Sequence, residues 1–234
     1  LTLSPIGVTV GGAQRWLDLG LIRLQPVELV KFFIIMFMSV TLERKKKQLT
    51  SFLKGTGPIL LIICLPVCLV LLQPDLGNAG LICIVCFSLL FLSKVPLKQM
   101  FHIGLVSLVA LVIIILNNPY QMNRITSFLS PMDDPLGKNY HISQSLIAVG
   151  SGGITGVGIG ESKSKYFYLP LQYSDFIFSI ICEEGGLFFA LLVIFLYAFL
   201  LFKGYCIAKK SPSFYSFYLC LGLTLLIVIQ AFIN

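Results

Sequence analysis

The sequence predicts an all-α integral membrane protein, a multi-span helical bundle with one large extracytoplasmic loop. Of its 234 residues, 57% are hydrophobic and only 12% are charged, and the mean hydropathy is +0.93. Typical soluble domains have roughly 45–50% apolar and roughly 25% charged residues. The apolar residues also occur in runs close to the about 20 residues that a spanning helix needs. An ordinary soluble domain is therefore excluded.

Six apolar runs are predicted to cross the membrane. They cover approximately residues 27–42, 57–72, 76–92, 100–116, 175–202 and 214–233. Residues 117–172, between the fourth and fifth runs, are polar and rich in proline and glycine, which is typical of a loop. We interpret residues 1–234 as a single, partial membrane domain. The chain begins without Met and stops within an apolar pattern, so we expect it to be part of a longer protein.

The distribution of Lys and Arg predicts the orientation of these spans. One set of alternate loops holds ten basic residues, namely Arg44, Lys45, Lys46, Lys47, Lys54, Lys94, Lys98, Lys203, Lys209 and Lys210. The other set holds six, namely Arg15, Arg23, Arg124, Lys138, Lys163 and Lys165. Basic residues of short loops face the cytoplasm, so the loop 117–172 is predicted to lie outside. The net charge of +7 thus reflects topology, and the basic run 44–47 is interpreted as a positive-inside signal in preference to a docking site for lipid or nucleic acid. The expected partners include membrane lipids and no nucleic acid.

Ionisable side chains near the membrane core cost about 2.5–3.5 kcal/mol each on insertion scales and need pairing, water or a function. Glu28 and Lys31 are three residues apart on one predicted helix and can pair. Two interpretations stay open: a structural pair, or the lining of a polar cavity for an anionic or hydroxyl-rich substrate. In the sequence Gln73-Pro74-Asp75-Leu76-Gly77, we expect a tight turn in which Asp75 caps the next helix.

Two features of the outer loop and the fifth run indicate a site at the outer leaflet. Residues 150–160 include six glycines, which could form a flexible linker or a backbone that approaches a ligand and turns its amides toward phosphate. Asp175 begins the fifth run, either as a helix N-cap or facing whatever the glycines enclose. Glu183 lies eight residues further on a broad common face. A partly desolvated carboxylate close to a second one is suited to act as a general base.

Several stretches match a known family in order and across nearly the whole chain. They are GAQRWLDLG at 12–20, QPVELVK at 25–31, QPDLG at 73–77, QSLIAVGSGG at 144–153, and SDFIF at 174–178 followed by Glu183-Glu184. In these stretches the sequence resembles the SEDS (shape, elongation, division and sporulation) proteins of bacteria. The segments 13–16, 140–142 and 150–153 are most similar to the elongation member RodA, with a division-type, FtsW-like paralogue as the alternative.

The resemblance implies a peptidoglycan glycosyltransferase that polymerises lipid II into a growing glycan strand during cell elongation. The active site would face the periplasm from a multi-pass protein of the bacterial cytoplasmic (inner) membrane, beside a class B penicillin-binding protein that cross-links the strands. Family members have ten spans, so the six here would be the fourth to the ninth. The resemblance carries the catalytic role of general base onto Asp175, and it favours Glu28 and Lys31 as substrate-binding residues.

Further substrate-binding candidates are Arg124, Gln144, Ser145, Gly152, Gly153 and Glu183. The pyrophosphate leaving group needs a cation, for which the candidates are Lys31, Arg124, Lys163, Lys165 or a divalent metal such as Mg²⁺ or Mn²⁺. No metal ligand is assigned.

The spacing of Cys83 and Cys86 fits a metal or redox motif, but their apolar surroundings favour the interpretation that both are small buried hydrophobic residues. His141 is interpreted as a hydrogen-bonding loop residue.

Two functions of other classes compete with the polymerase. One is a flippase or transporter of the same lipid-linked precursor, because buried charges also mark substrate pathways. Such a protein needs polar groups on both sides of the bilayer midplane, whereas those here crowd the predicted outer half. The other is a scaffold that binds and regulates a partner, which would tolerate the loss of Asp175.

Overall fold

The computed structural model describes residues 7–10, 13–18, 23–134, 137, 139–162 and 176–233. In these residues the helices are α1 (Pro26–Arg44), α2 (Gly57–Leu72), α3 (Leu76–Leu92), α4 (Leu97–Asn117), α5 (Pro119–Leu129), α6 (Tyr140–Gly152), α7 (Ile177–Lys209) and α8 (Phe214–Ile233). A π-helical turn, Phe52–Thr56, leads directly into α2. The predicted base Asp175 and the cation candidates Lys163 and Lys165 lie outside the described residues.

The predicted class, an all-α membrane protein, is confirmed. Every predicted apolar run coincides with a helix, namely α1, α2, α3, α4, α7 and α8. Four helical segments of the described chain, Phe52–Leu72, Leu97–Asn117, Ile177–Lys209 and Phe214–Ile233, are long and apolar enough to cross a membrane, and Leu76–Leu92 is apolar but shorter. The number of spans and their orientation stay predictions.

Two details of the architecture go beyond the sequence prediction. Three short strands, β1 (Gly7–Val10), β2 (Ala13–Asp18) and β3 (Arg23–Leu24), pair antiparallel in that order. The predicted loop 117–172 contains the helices α5 and α6. Asn118 and Pro119 explain the start of α5, since the Asn118 side chain accepts a hydrogen bond from the Tyr120 amide at 3.1 Å and Pro119 suits the first helical turn.

The chain forms two compact units. Unit 1 comprises Leu1–Ile103 and Phe199–Asn234, and unit 2 comprises Gly104–Ala198. The single membrane domain predicted from the sequence stays a prediction.

The core of unit 1 lies where α1, α3 and α8 pack together. Ile35 of α1 and Leu89 of α3 are buried in it, and Gly222 of α8 lies against both. A Cβ atom at position 222 would come within 2.6 Å of Ile35 Cγ2 and 3.2 Å of Leu89 Cδ1. Small residues allow close approach of helices in membranes, where packing replaces the hydrophobic effect as the driving force.

We expect Gly222→Val to destabilise the full-length protein by about 1–3 kcal/mol, because the added side chain overpacks this contact. The matched control is Gly80→Val, since a Cβ at Gly80 meets nothing within 4 Å. The measurement is the temperature at which half of the detergent-solubilised protein loses its monodisperse elution. A Gly80 variant as unstable as the Gly222 variant would contradict this account of the packing.

Candidate functional site

In unit 1, Lys31 is the centre of a polar network that joins α1, α3 and α8. Its ammonium donates to Glu28 Oε1 at 2.8 Å, to Asn78 Oδ1 at 3.1 Å and to Gln230 Oε1 at 3.0 Å. An ammonium has three donors, so these contacts use all of them. The Lys31 side chain is 1% exposed, whereas that of Glu28 is 42% exposed.

Asp75 extends this network from the start of α3. It is the N-cap residue of α3, and its carboxylate accepts hydrogen bonds from the Asn78 amide at 3.2 Å and from Asn78 Nδ2 at 2.8 Å. The predicted capping role of Asp75 is therefore confirmed. Asn78 connects the buried carboxylate of Asp75 to the buried ammonium of Lys31, so one cation stands between two carboxylates.

This geometry indicates different roles for Glu28 and Lys31, which the sequence alone did not distinguish. Lys31 is enclosed, and the void beside it is about 10 Å³, roughly the space of a single water molecule. It therefore acts as a fixed charge that joins helices and orients Glu28. The exposed carboxylate of Glu28 is the group of this pair that a ligand can reach, and its contact with substrate stays a prediction.

In unit 2, α7 is interrupted at Gly186, which has φ 65° and ψ −161°. The interruption removes regular helical partners from nearby backbone groups, and the turn after α6 replaces them. The Val157 amide donates to the Glu183 carbonyl at 3.0 Å, the Gly158 amide donates to the Glu184 carbonyl at 3.1 Å, and the Leu187 amide donates to the Gly153 carbonyl at 3.0 Å. These three hydrogen bonds hold the glycine-rich turn on the interrupted helix.

The glycines of this turn are needed for the close approach of the two backbones. A Cβ at Gly152 would overlap the Cys182 carbonyl, and one at Gly156 would overlap the Glu184 carbonyl. Gly156 also has φ 79°, which side chains rarely tolerate. The amides of Val157 and Gly158 face α7, so in this arrangement neither is free to bind phosphate. Direct substrate contact by Gly152 and Gly153 stays a prediction.

Glu183, another predicted substrate-binding residue, is buried beside the same turn. Its carboxylate accepts a hydrogen bond of 2.5 Å from the Ser162 hydroxyl, and Ser162 is itself 1% exposed. A hydrogen bond to a carboxylate is stronger than one between neutral groups. The structure thus brings together Glu183, Gly152 and Gly153, three of the substrate-binding candidates, and adds Ser162 beside them.

The remaining candidates of unit 2 lie on α5 and α6. Arg124 lies over the ring of Tyr120, with 5.6 Å between the guanidinium carbon and the ring centroid. Ser145 donates to the Ile142 carbonyl at 2.8 Å within its own helix. The His141 ring stacks on Phe176 at a centroid distance of 6.2 Å. His141 therefore contacts the residue that directly follows the predicted base.

Asn78, Gln230 and Ser162 are polar partners that the sequence analysis missed. Gln230 stands in the last apolar run and Asn78 follows the 73–77 motif, so polar residues within apolar runs were the available signal. Among the described residues no group of three His, Cys, Asp or Glu side chains could hold a metal ion.

Comparison with known proteins places the chain in a family. Residues 1–234 match the model of the FtsW, RodA and SpoVE family, described as cell cycle proteins. The chain belongs to this family. The predicted SEDS resemblance is thereby confirmed.

Curated relatives of the family match the whole chain. Stage V sporulation protein E of Bacillus subtilis is 37% identical over 235 residues, which cover 100% of this chain and 64% of the relative. The probable peptidoglycan glycosyltransferase FtsW of Coxiella burnetii is 39% identical over 238 residues, with 100% and 64% covered. The chain thus spans less than two thirds of the length of these relatives.

Solved structures support the fold of the family. A chain from a study of how a peptidoglycan synthase complex coordinates polymerization and crosslinking matches with a TM-score of 0.75 and 25% identity, covering 98% of this chain and 65% of the other. The rod shape determining protein RodA of Thermus thermophilus matches with a TM-score of 0.64 and 24% identity, covering 97% and 58%. Proteins named Stage V sporulation protein E, FtsW and RodA all appear among these matches, so the RodA subtype stays a prediction.

The Lys31 network predicts that two substitutions within it differ markedly in how much stability they cost. Lys31→Met leaves the oxygen atoms of Asn78 and Gln230 without their common donor and should cost about 1–3 kcal/mol of stability for each of these two acceptors. Glu28→Gln keeps an acceptor oxygen at the exposed end and should cost much less. Thermal unfolding of the full-length family member carrying each change measures the difference. Equal losses would show that Lys31 is not the centre of the network.

The glycine-rich turn predicts a local effect on hydrogen exchange. Gly156→Ala should speed exchange of the Val157 and Gly158 amides by at least about tenfold, since the new Cβ pushes the turn off α7. Gly150→Ala is the control, because a Cβ at Gly150 meets nothing within 4 Å. Mass spectrometry of the peptide spanning 154–162 gives both rates. Unchanged protection in the Gly156 variant would contradict the proposed reason for glycine at this position.

Proposed function

We propose that the protein containing this chain is a peptidoglycan glycosyltransferase that polymerises lipid II into glycan strands. The observation that carries the proposal is family membership over the whole chain, together with the 39% identity to a relative named probable peptidoglycan glycosyltransferase. In this proposal Asp175 is the general base. The active site faces the outside of the bacterial cytoplasmic membrane, and the product is a growing strand.

The reaction explains why one carboxylate is sufficient as a base. The 4-hydroxyl of one disaccharide attacks the anomeric carbon of another, and the bond to undecaprenyl pyrophosphate breaks. The donor is α-linked and the product is β-linked, so a single inverting displacement needs one base that takes the hydroxyl proton. Such a base is typically worth about 10²–10⁴-fold in rate. Asp175 receives the proton, and the pyrophosphate leaves with the electron pair of the broken bond.

The described residues support this proposal through the way they hold polar groups at membrane depth. Ser162 and the glycine-rich turn fix Glu183 and the early part of α7, the helix that begins two residues after Asp175. The exposed Glu28 carboxylate, held by Lys31, offers an acceptor for sugar hydroxyls. Positioning of reacting groups by a rigid support is itself a large part of catalysis.

The pyrophosphate leaving group needs cations that stabilise its negative charge. Arg124 on α5, Lys163 and Lys165 are the proposed cations for the pyrophosphate, since the ammonium of Lys31 is already saturated by oxygen atoms. A divalent cation, Mg²⁺ or Mn²⁺, is a further candidate. The described residues form no three-ligand group for it, so no step of the reaction is assigned to a metal.

We also propose a class B penicillin-binding protein as the partner that cross-links the strands. Its support is the likeness to a chain from a peptidoglycan synthase complex. A role in cell elongation rests on the segments 13–16, 140–142 and 150–153, which resemble RodA.

The decisive substitution is Asp175→Asn in the full-length protein, purified with a penicillin-binding partner that cannot itself polymerise. We expect the wild type to make glycan strands from purified lipid II and the variant to make essentially none, because the amide cannot accept the hydroxyl proton. The control is Asp133→Asn, which removes an exposed carboxylate from the same predicted outer loop and should leave polymerisation intact. Folding and partner binding are checked in every variant.

The other outcomes are equally informative. If Asp175→Asn polymerises as well as the wild type, Asp175 is only a helix cap and the proposed mechanism is wrong. If neither protein polymerises, transport of lipid II becomes the leading function, and movement of labelled lipid II across vesicles would then test it.

A further inference from the structure

A groove of about 470 Å³ opens on unit 1 at the end of α1 that carries the basic run 44–47. It lies between α1, the beginning of α2 and the beginning of α8. The apolar part of the lining is formed by Met36, Phe37, Val40, Pro58, Ile59 and Ile62. Its volume falls within the about 300–1,000 Å³ that is usual for sites of small organic ligands.

The groove has a closed base and open sides. Ile59 is fully buried at its base, whereas Met36 is 45% exposed and Ile62 is 48% exposed along its sides. All three belong to helices at predicted spans, so the open sides are apolar surface within the predicted membrane region. A hydrocarbon chain is therefore the ligand that such a surface accepts without loss of hydrogen bonds.

The end of the groove is cationic. Arg44 and Lys45 line it, together with the hydroxyl-bearing side chains of Thr41 and Tyr215, and none of the described residues that line it is acidic. The Lys45 ammonium contacts the Lys54 carbonyl at 3.3 Å, which keeps it over the π-helical turn. The Lys46 ammonium lies 3.4 Å from the ring centroid of Phe214, so this lysine is directed to the first residue of α8.

The combination of an apolar groove and a cationic end specifies its ligand. Arginine binds a phosphate group through two parallel hydrogen bonds. A lysine or arginine near a membrane surface also favours anionic lipids. A zwitterionic lipid carries a cationic group next to its phosphate, and Arg44 and Lys45 would repel that group. Charge complementarity thus selects a lipid with net negative charge.

We infer that this groove binds an anionic diacyl phospholipid, with an acyl chain along α1 and α2 and the phosphate at Arg44 and Lys45. By the predicted orientation the lipid belongs to the cytoplasmic leaflet, opposite the proposed site of polymerisation. The inference is independent of the proposed activity. Since the groove is lined by three helices, a bound lipid links them and stabilises unit 1 by mass action.

The test is native mass spectrometry of the delipidated full-length protein, titrated with dioleoyl phosphatidylglycerol or dioleoyl phosphatidylcholine. The wild type should bind phosphatidylglycerol more tightly. The double variant Arg44→Gln/Lys45→Gln should weaken this binding by up to about 30-fold, roughly fivefold for each cation removed, and should leave phosphatidylcholine binding unchanged. The matched control, Lys209→Gln/Lys210→Gln, removes the same charge from exposed residues on the same predicted side and should have a much smaller effect.

A second variant tests the apolar part of the groove without changing charge. Ile62→Trp should fill the groove and weaken binding of both lipids, and the milder Ile62→Phe serves if the Trp variant does not elute as a folded protein. Inorganic phosphate should not compete, because it lacks the acyl chains. The inference is overturned if the two charge variants weaken phosphatidylglycerol binding equally, if the Ile62 variant binds normally, or if inorganic phosphate displaces the lipid.

Discussion

The structure depends on one constraint, that every polar atom placed at membrane depth must find a partner within the protein. Lipid offers no hydrogen bonds, so an unpaired group costs several kcal/mol. Lys31 satisfies the constraint by using all three of its donors on Glu28, Asn78 and Gln230. Since these residues belong to three different helices, the same contacts fix how α1, α3 and α8 pack. Apolar packing alone, as at Gly222, would leave their rotation less well determined.

The interruption of α7 follows from the same constraint. A helix break at Gly186 exposes backbone groups that a continuous helix would pair, and the glycine-rich turn supplies replacements through Val157, Gly158 and Gly153. Glycine is required in the turn because a side chain would keep the two backbones apart. A sequence feature that is commonly associated with flexibility or with phosphate binding therefore acts here as a packing surface, and Glu183 is held beside it.

The polar networks and the lipid groove use charge in different ways. In the networks, charges are buried and matched by specific hydrogen-bond partners, which gives fixed geometry but leaves little capacity to bind a ligand, except at the exposed carboxylate of Glu28. At the groove, Arg44 remains exposed and Lys45 has a weaker contact to a carbonyl at 3.3 Å. Cations of this second kind are available to a phosphate. Unit 1 thus contains both an enclosed cation, Lys31, and an accessible one, Arg44, and the two differ in how deeply they are buried.

The sequence by itself determined the membrane class, the positions of the apolar helices, the capping role of Asp75 and the family. Hydrophobic run length and local spacing carry that information, because they depend on residues close together in the chain. The tertiary structure decided what each polar residue does. Asn78 and Gln230 reach Lys31 from positions 47 and 199 residues away, and Ser162 reaches Glu183 from 21 residues away. Such pairings depend on how helices pack, and no local pattern encodes them. The β strands were also missed because each has only two to six residues, and α5 and α6 were missed because the proline and glycine around them are typical of a loop.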